Sequence, residues 1–190
     1  MAVSLTKKAV GIGLTDAVAL MFIFAAPALS HLFAVPFYLI DPMRVAVLGA
    51  LLLSRNWKNA LVLAVALPLF SFAVSGHPVF PKCLLIAAEL SANVLLFIWL
   101  SRAFGPRTST PVGVPSGYSA GDSAASRAGV GVAAFLSILL SKVLYYGLKA
   151  LVLSAGLMQM ELISTALWVQ LAVALLLSLG FAIWWKKASR

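Results

Sequence analysis

The sequence predicts an all-α integral membrane protein: a bundle of six transmembrane helices, one of them short, with both termini on the cytoplasmic side. Three observations predict it. Hydrophobic residues fill 63% of the 190 positions, charged residues only 10%, and the mean hydropathy is +1.06, well beyond what a soluble domain carries. The apolar residues fall in several long runs, more than one signal peptide or one anchor needs. These runs do not alternate apolar with polar, so helices rather than a β-barrel satisfy the backbone in lipid. Finally, with the N-terminus inside, ten of the fourteen basic residues collect on the cytoplasmic side: Lys7, Lys8, Arg55, Lys58, Arg102, Arg107, Arg127, Lys186, Lys187 and Arg190. The reversed topology puts all ten outside.

The first span covers about residues 10–35. Along it Ala9, Gly13 and Ala17 recur every four residues and the face continues through Met21 and Ala25. Small residues at this spacing let a helix of the same chain, or one of a partner protein, approach closely. Asp16 lies toward the cytoplasmic end, where a local cap or pair suits it. The second span, 42–54, is short and follows "FAVPFYLIDP", whose two prolines predict an irregular loop folded against protein. The third and fourth spans cover 57–75 and 80–102. Gly, Pro, Ser and Thr then supply 14 of the 24 residues from 104 to 127, a composition that predicts a flexible cytoplasmic linker. The fifth and sixth spans, 128–156 and 162–185, complete a single membrane domain over 1–190, and no internal repeat is evident.

Several function classes drop out on composition. A net charge of +9 suggests nucleic acid at first sight, but the basic residues sit at helix ends and in short loops, where they orient a membrane protein. The single Cys83 has no disulfide partner and reads as a small packing residue in an apolar helix. His31 and His77 are the only histidines, and no His/Cys/Asp cluster has metal-ligand spacing. There is neither a phosphate-binding glycine loop nor a nucleophile–base pair, so no enzyme activity, metal or cofactor is expected.

The four remaining basic residues, Arg44, Lys82, Lys142 and Lys149, lie in or beside apolar spans toward the outer half. Lys82, Glu89 and Asn93 share one face of the fourth helix, with Ile86 between them. A helix starting at Pro81 carries Glu89 roughly 12 Å inward, where an unpaired carboxylate costs several kcal/mol. On the fifth helix Lys142, Tyr146 and Lys149 fall at i, i+4 and i+7, with Tyr145 alongside. On the sixth, Glu161, Thr165 and Trp168 keep similar spacing and Gln170 occupies a neighbouring face. These stripes have two readings. In one, Glu89 and Lys142 form an interhelical ion pair, the other lysines snorkel, and Tyr145, Tyr146 and Trp168 anchor at the interface. In the other, the stripes line a pocket open to the outside that takes a small anionic or zwitterionic solute. His77, in "SGHPVF", reads as a turn residue or as a solute contact.

Three stretches carry a further pattern: "DPMRVAVLGALLLSRNWKNALVLAVALPLFSFAVSGHP", "LLIAAELSANVLLFIWL" and "STALWVQLAVALLL". Pro42 and Met43 open the short helix, Pro68, Ser71 and Phe72 lead to a turn at Gly76 and Pro78, Glu89 and Leu90 stand in the fourth helix, and Gln170 in the last. On these residues, over about 40–177, the chain resembles the substrate-binding S component of energy-coupling factor (ECF) vitamin transporters. Arg44 stands where the family's histidine falls, Val94 where a glycine follows the Glu-Leu pair, and "SRNWKN" where a Gly-Pro turn is usual.

The resemblance implies a six-helix protein of the cell's inner (plasma) membrane that captures a vitamin-like micronutrient on the outer side. It implies partners too, a transmembrane coupling subunit and two ATPase subunits, with Ala9, Gly13 and Ala17 meeting the coupling subunit. Glu89 and Gln170 then orient the solute by hydrogen bonds while Arg44, Lys142 and Lys149 offset its charge, beneath loops around Asp41 and His77. The competing expectation is a stand-alone proton-coupled secondary transporter or small exporter, in which Glu89 is a proton site.

Overall fold

A computed structural model describes residues 2–33, 41–54, 56–76, 78–104, 124–157 and 166–188, and among these every regular element is an α-helix. The helices are α1 (Ala2–Phe33), α2 (Pro42–Ser54), α3 (Trp57–Ser75), α4 (Phe80–Phe104), α5 (Ala124–Ser154) and α6 (Leu167–Ala188). Local chemistry accounts for the sharpest boundaries. Pro42 takes the first helical position of α2, where its missing N–H costs nothing, and Val45 N–H closes the first turn on the Asp41 carbonyl at 3.1 Å. Asn56 caps α3 by accepting from the Lys58 N–H at 3.1 Å, and Gly76, at φ 67°, ends it by donating to the Phe72 carbonyl at 2.8 Å.

The second and third helices coincide with the sequence expectation, while others shift. The first begins at Ala2 rather than near residue 10, because Lys7 and Lys8 are ordinary helix formers and do not interrupt it. Helix α4 runs on to Phe104 and α5 starts at Ala124, so both ends of the expected 104–127 linker are helical; 105–123 lie outside the described residues. Helix α5 stops at Ser154 rather than 156. Gly156 turns left-handed at φ 68°, and Gly156 and Leu157 N–H groups bond back to the Leu153 and Val152 carbonyls. The expected start of the sixth helix, 162–165, lies outside the described residues, and α6 continues past 185 to Ala188.

Among the described residues four helices are long and apolar enough to cross a membrane, which makes this a membrane protein: Trp57–Ser75, Phe80–Phe104, Ala128–Ser154 and Leu167–Trp184. Helix α2 is not among them. Its 13 residues extend about 20 Å against a hydrocarbon core of about 30 Å. It lies inside the bundle instead, against α1, α3, α4 and α6, and buries Arg44, Ala46, Val47, Leu48, Ala50, Leu51 and Leu52. Helix α4 is the central span, packed on α5 and α3, whereas α6 leans on α5 and α2 and leaves most of its surface outward.

The core fills the space around α2 with Leu63 and Leu67 of α3, Leu90, Val94 and Phe97 of α4, Ile138 of α5 and Phe181 of α6. Phe97 and Phe181 meet edge to face at 5.0 Å, a favourable aromatic geometry. On α1 the inward residues are Ala19 and Ile23, whereas Gly13 and Ala17 are exposed and the side chain of Ala9 lies outside the described set. The small-residue face is therefore not consumed by packing within the described chain. Asp16 turns toward α3 and accepts a 2.7 Å hydrogen bond from Asn59, an interhelical contact rather than the local cap or pair expected of it.

Helices α4 and α5 leave no room for a side chain where Gly129 faces the end of α4. A Cβ at Gly129 meets the Phe104 carbonyl oxygen at 2.5 Å, a backbone atom that cannot swing aside, whereas one at Gly147 on the same helix meets nothing within 4 Å. Both Gly→Ala changes gain helix propensity. Gly129→Ala is expected to lower thermal stability in detergent by about 1–3 kcal/mol through overpacking, and Gly147→Ala to leave it level or raised. Equal melting shifts from the two variants count against this close approach.

Candidate functional site

A carboxylate inside a membrane helix is tolerable only with partners, and Glu89 has two. Its Oε1 pairs with Arg44 Nη2 from the first turn of α2 and with Lys142 Nζ of α5 at 2.9 Å. Arg44 is 1% exposed and Glu89 3%, so both charges are largely desolvated and depend on each other. Asp41, just ahead of α2, joins them: its Oδ2 lies 3.3 Å from Arg44 Nε and 3.5 Å from Lys142 Nζ. Burial pushes the Asp41 carboxyl upward, but the Arg44 and Lys142 cations and the Arg44 backbone N–H outweigh it and hold the group below its ordinary value of 3.8. Three elements that are far apart in sequence are thus tied at one point.

Beside this cluster lies a cavity of about 450 Å³, within the range of small-molecule sites. Arg44, Lys82, Glu89 and Lys142 contribute its charged surface together with Asp41. Tyr145, Tyr146 and Gln170 add hydrogen-bonding and aromatic surface, and Ile86, Ile138 and Leu177 are among its apolar walls. Gln170 of α6 donates to the Tyr146 hydroxyl, and the two tyrosine rings meet at 5.4 Å and 76°. Lys142 Nζ stands 5.6 Å from the Tyr145 ring centroid, a cation–π distance. Lys82 has no acidic partner among the described residues, so the cavity carries three basic and two acidic side chains with one cation in reserve.

The two sequence readings of Glu89 and Lys142 are therefore compatible, since the pair exists and also forms a wall. Seven of the eleven expected contact residues converge: Arg44, Lys82, Glu89, Lys142, Tyr145, Tyr146 and Gln170. Three do not. Asn93, fully buried one turn deeper than Glu89, donates instead to Ser137 Oγ at 3.2 Å where α4 and α5 close together. Lys149 is buried one turn beyond Tyr145, its Nζ 6.0 Å from the ring whose other neighbour is Lys142. Trp168 is 73% exposed on the outward side of α6, the position of an interfacial anchor. His77 lies outside the described residues, as do Glu161 and Thr165. Cys83 is fully buried in α4, as a packing residue is.

Sequence reasoning missed Asp41 as a site residue, placing only its loop near the pocket. Its signal was present in the spacing, because a carboxylate three residues before Arg44 at a helix start reaches the same neighbour. Comparison with protein-family models, curated proteins and solved structures gives no match for this chain.

The cluster sets a measurable coupling. Glu89→Ala leaves Arg44 buried without its main partner, and Arg44→Ala leaves Glu89 with Lys142 alone; each is expected to cost about 3–5 kcal/mol. The double variant is expected to cost clearly less than both together. Additive losses in thermal or denaturant unfolding mean that the two groups do not interact in the folded protein.

Proposed function

We propose that this chain is the S component of an ECF-type importer, capturing a small vitamin-like solute, anionic or zwitterionic, from the outer side of the plasma membrane. The observation that carries this reading is the cavity itself, a partly open space of small-molecule size with a cationic surplus, two tyrosines and an amide on its wall. A purely structural ion-pair cluster needs no such space. In this reading both termini are cytoplasmic, Lys142 and Lys82 attract the solute's negative group, and Tyr145, Tyr146 and Gln170 fix its ring or polar edge. Transport energy comes from two ATPase subunits through a coupling membrane subunit, which the exposed Gly13–Ala17 face of α1 suits as a close-packing surface. A proton-carrier role for Glu89 fits less well, because protonation there removes the anion that Arg44 and Lys142 share.

Two measurements test the proposal. Tagged protein drawn from its native membranes is expected to bring down two ATPases and a membrane subunit, together with a small molecule identifiable by mass spectrometry. Lys142→Met is expected to weaken retention of that molecule roughly 10- to 100-fold, the loss of one charge-assisted hydrogen bond, while the variant still folds. Uptake that collapses with the proton gradient, with no ATPase attached, refutes the importer assignment.

A further inference from the structure

Glu89 supplies the anion that Arg44 and Lys142 share, yet a second carboxylate belongs to the same cluster and is held differently. Asp41 Oδ2 is 3.5 Å from Lys142 Nζ, whereas Glu89 Oε1 is 2.9 Å from it. Arg44 Nε, 3.3 Å from Asp41 Oδ2, is buried and has no hydrogen-bond acceptor among the described residues, so that contact is electrostatic rather than a formed hydrogen bond. The Asp41 side chain is 27% exposed and the Glu89 side chain 5%. Asp41 also sits on the cavity wall, with its backbone at φ 55°, a left-handed conformation that L-residues other than Asn and Asp rarely accept. Of the two carboxylates, Asp41 is the more accessible and makes the longer contact with Lys142, so it is the one an incoming anion can replace.

We propose that Asp41 is a built-in competitor: its carboxylate occupies the place between Arg44 and Lys142 that the negative group of an incoming solute takes. The inference rests on the solute-cavity reading and adds which group the solute displaces. Exchange of one anion for another keeps Arg44 and Lys142 paired throughout, so no buried charge is stranded on the way. The ligand class that satisfies this is a small oxyanion, a carboxylate or a phosphate; a neutral molecule leaves Asp41 where it is. Displacement also frees the residue that opens α2, so occupancy of the cavity is transmitted to the start of that helix. Because the competitor is tethered, it acts at an effective concentration in the millimolar range and sets a threshold that weak anions do not pass.

Benzoate, a carboxylate on a ring, and inorganic phosphate serve as probes, titrated by calorimetry into the purified chain and its Asp41→Asn and Asp41→Ser variants. Asn and Ser remove the charge but still accept a hydrogen bond from the first amides of α2, so the helix start is kept. Both variants are expected to bind at least one probe about tenfold more tightly than the parent, the gain from removing a tethered rival. If the parent binds and the variants bind equally or more weakly, the competitor role is overturned while the cavity stands. If neither probe binds any of the three proteins, the solute-cavity reading fails and the inference falls with it. Hydrogen exchange on the unsubstituted chain gives a readout that needs no variant. Val45 N–H, bonded to the Asp41 carbonyl, is expected to exchange faster once benzoate is added; unchanged or slower exchange overturns the displacement.

Discussion

One carboxylate oxygen, Glu89 Oε1, is shared by a guanidinium from α2 and an ammonium from α5, and much of the architecture follows from that sharing. None of the three groups is tolerable alone in an apolar interior, so none of the three helices can shift far without stranding a charge. The arrangement explains why α2 can be too short to cross a bilayer and still have a fixed place. Its first turn is pinned electrostatically and the rest is held by apolar packing, with Val47, Ala50 and Leu52 nearly or fully buried.

The same constraint places the cavity. Close packing of apolar side chains leaves few voids, but a cluster of Lys, Arg, Tyr and Gln beside Ile138 and Leu177 does not interdigitate that way. Its polar atoms need partners that the neighbouring helices supply only in part. Lys82 and the partly exposed Asp41 are the clearest cases. Structural and functional roles therefore fall on one set of residues. Glu89 holds helices together and forms a wall, and Tyr146 ties α5 to α6 through Gln170 while presenting its ring.

Much of this was legible in the sequence, and what was not has identifiable physical causes. Helical periodicity correctly grouped Lys82, Ile86 and Glu89 on one face of α4, and Lys142 with Tyr146 on one face of α5, because a face is a local property of a helix. Depth is not local. Asn93 shares the face of Glu89 yet sits where α4 and α5 already touch, and Lys149 continues the Lys142 stripe past the cavity. Trp168 was grouped by spacing, but the direction in which α6 turns depends on its neighbours, which spacing does not encode. Asp41 was overlooked because a carboxylate before a proline at a helix start reads as local chemistry; its link to Lys142 spans about a hundred residues. The ends of α2 and α3 were readable because Pro42, Asn56 and Gly76 each specify a backbone conformation on their own.

The space at Gly129, where a Cβ would meet the Phe104 carbonyl oxygen, lies at one end of the long contact between α4 and α5. Lys142 lies 13 positions along α5 from it, an arm of roughly 20 Å. A pivot of only about 5° about that point displaces the ammonium by roughly 1.7 Å over such an arm, enough to part it from Glu89. A very small angular change between the two helices is therefore enough to make or break a charge contact this far along α5.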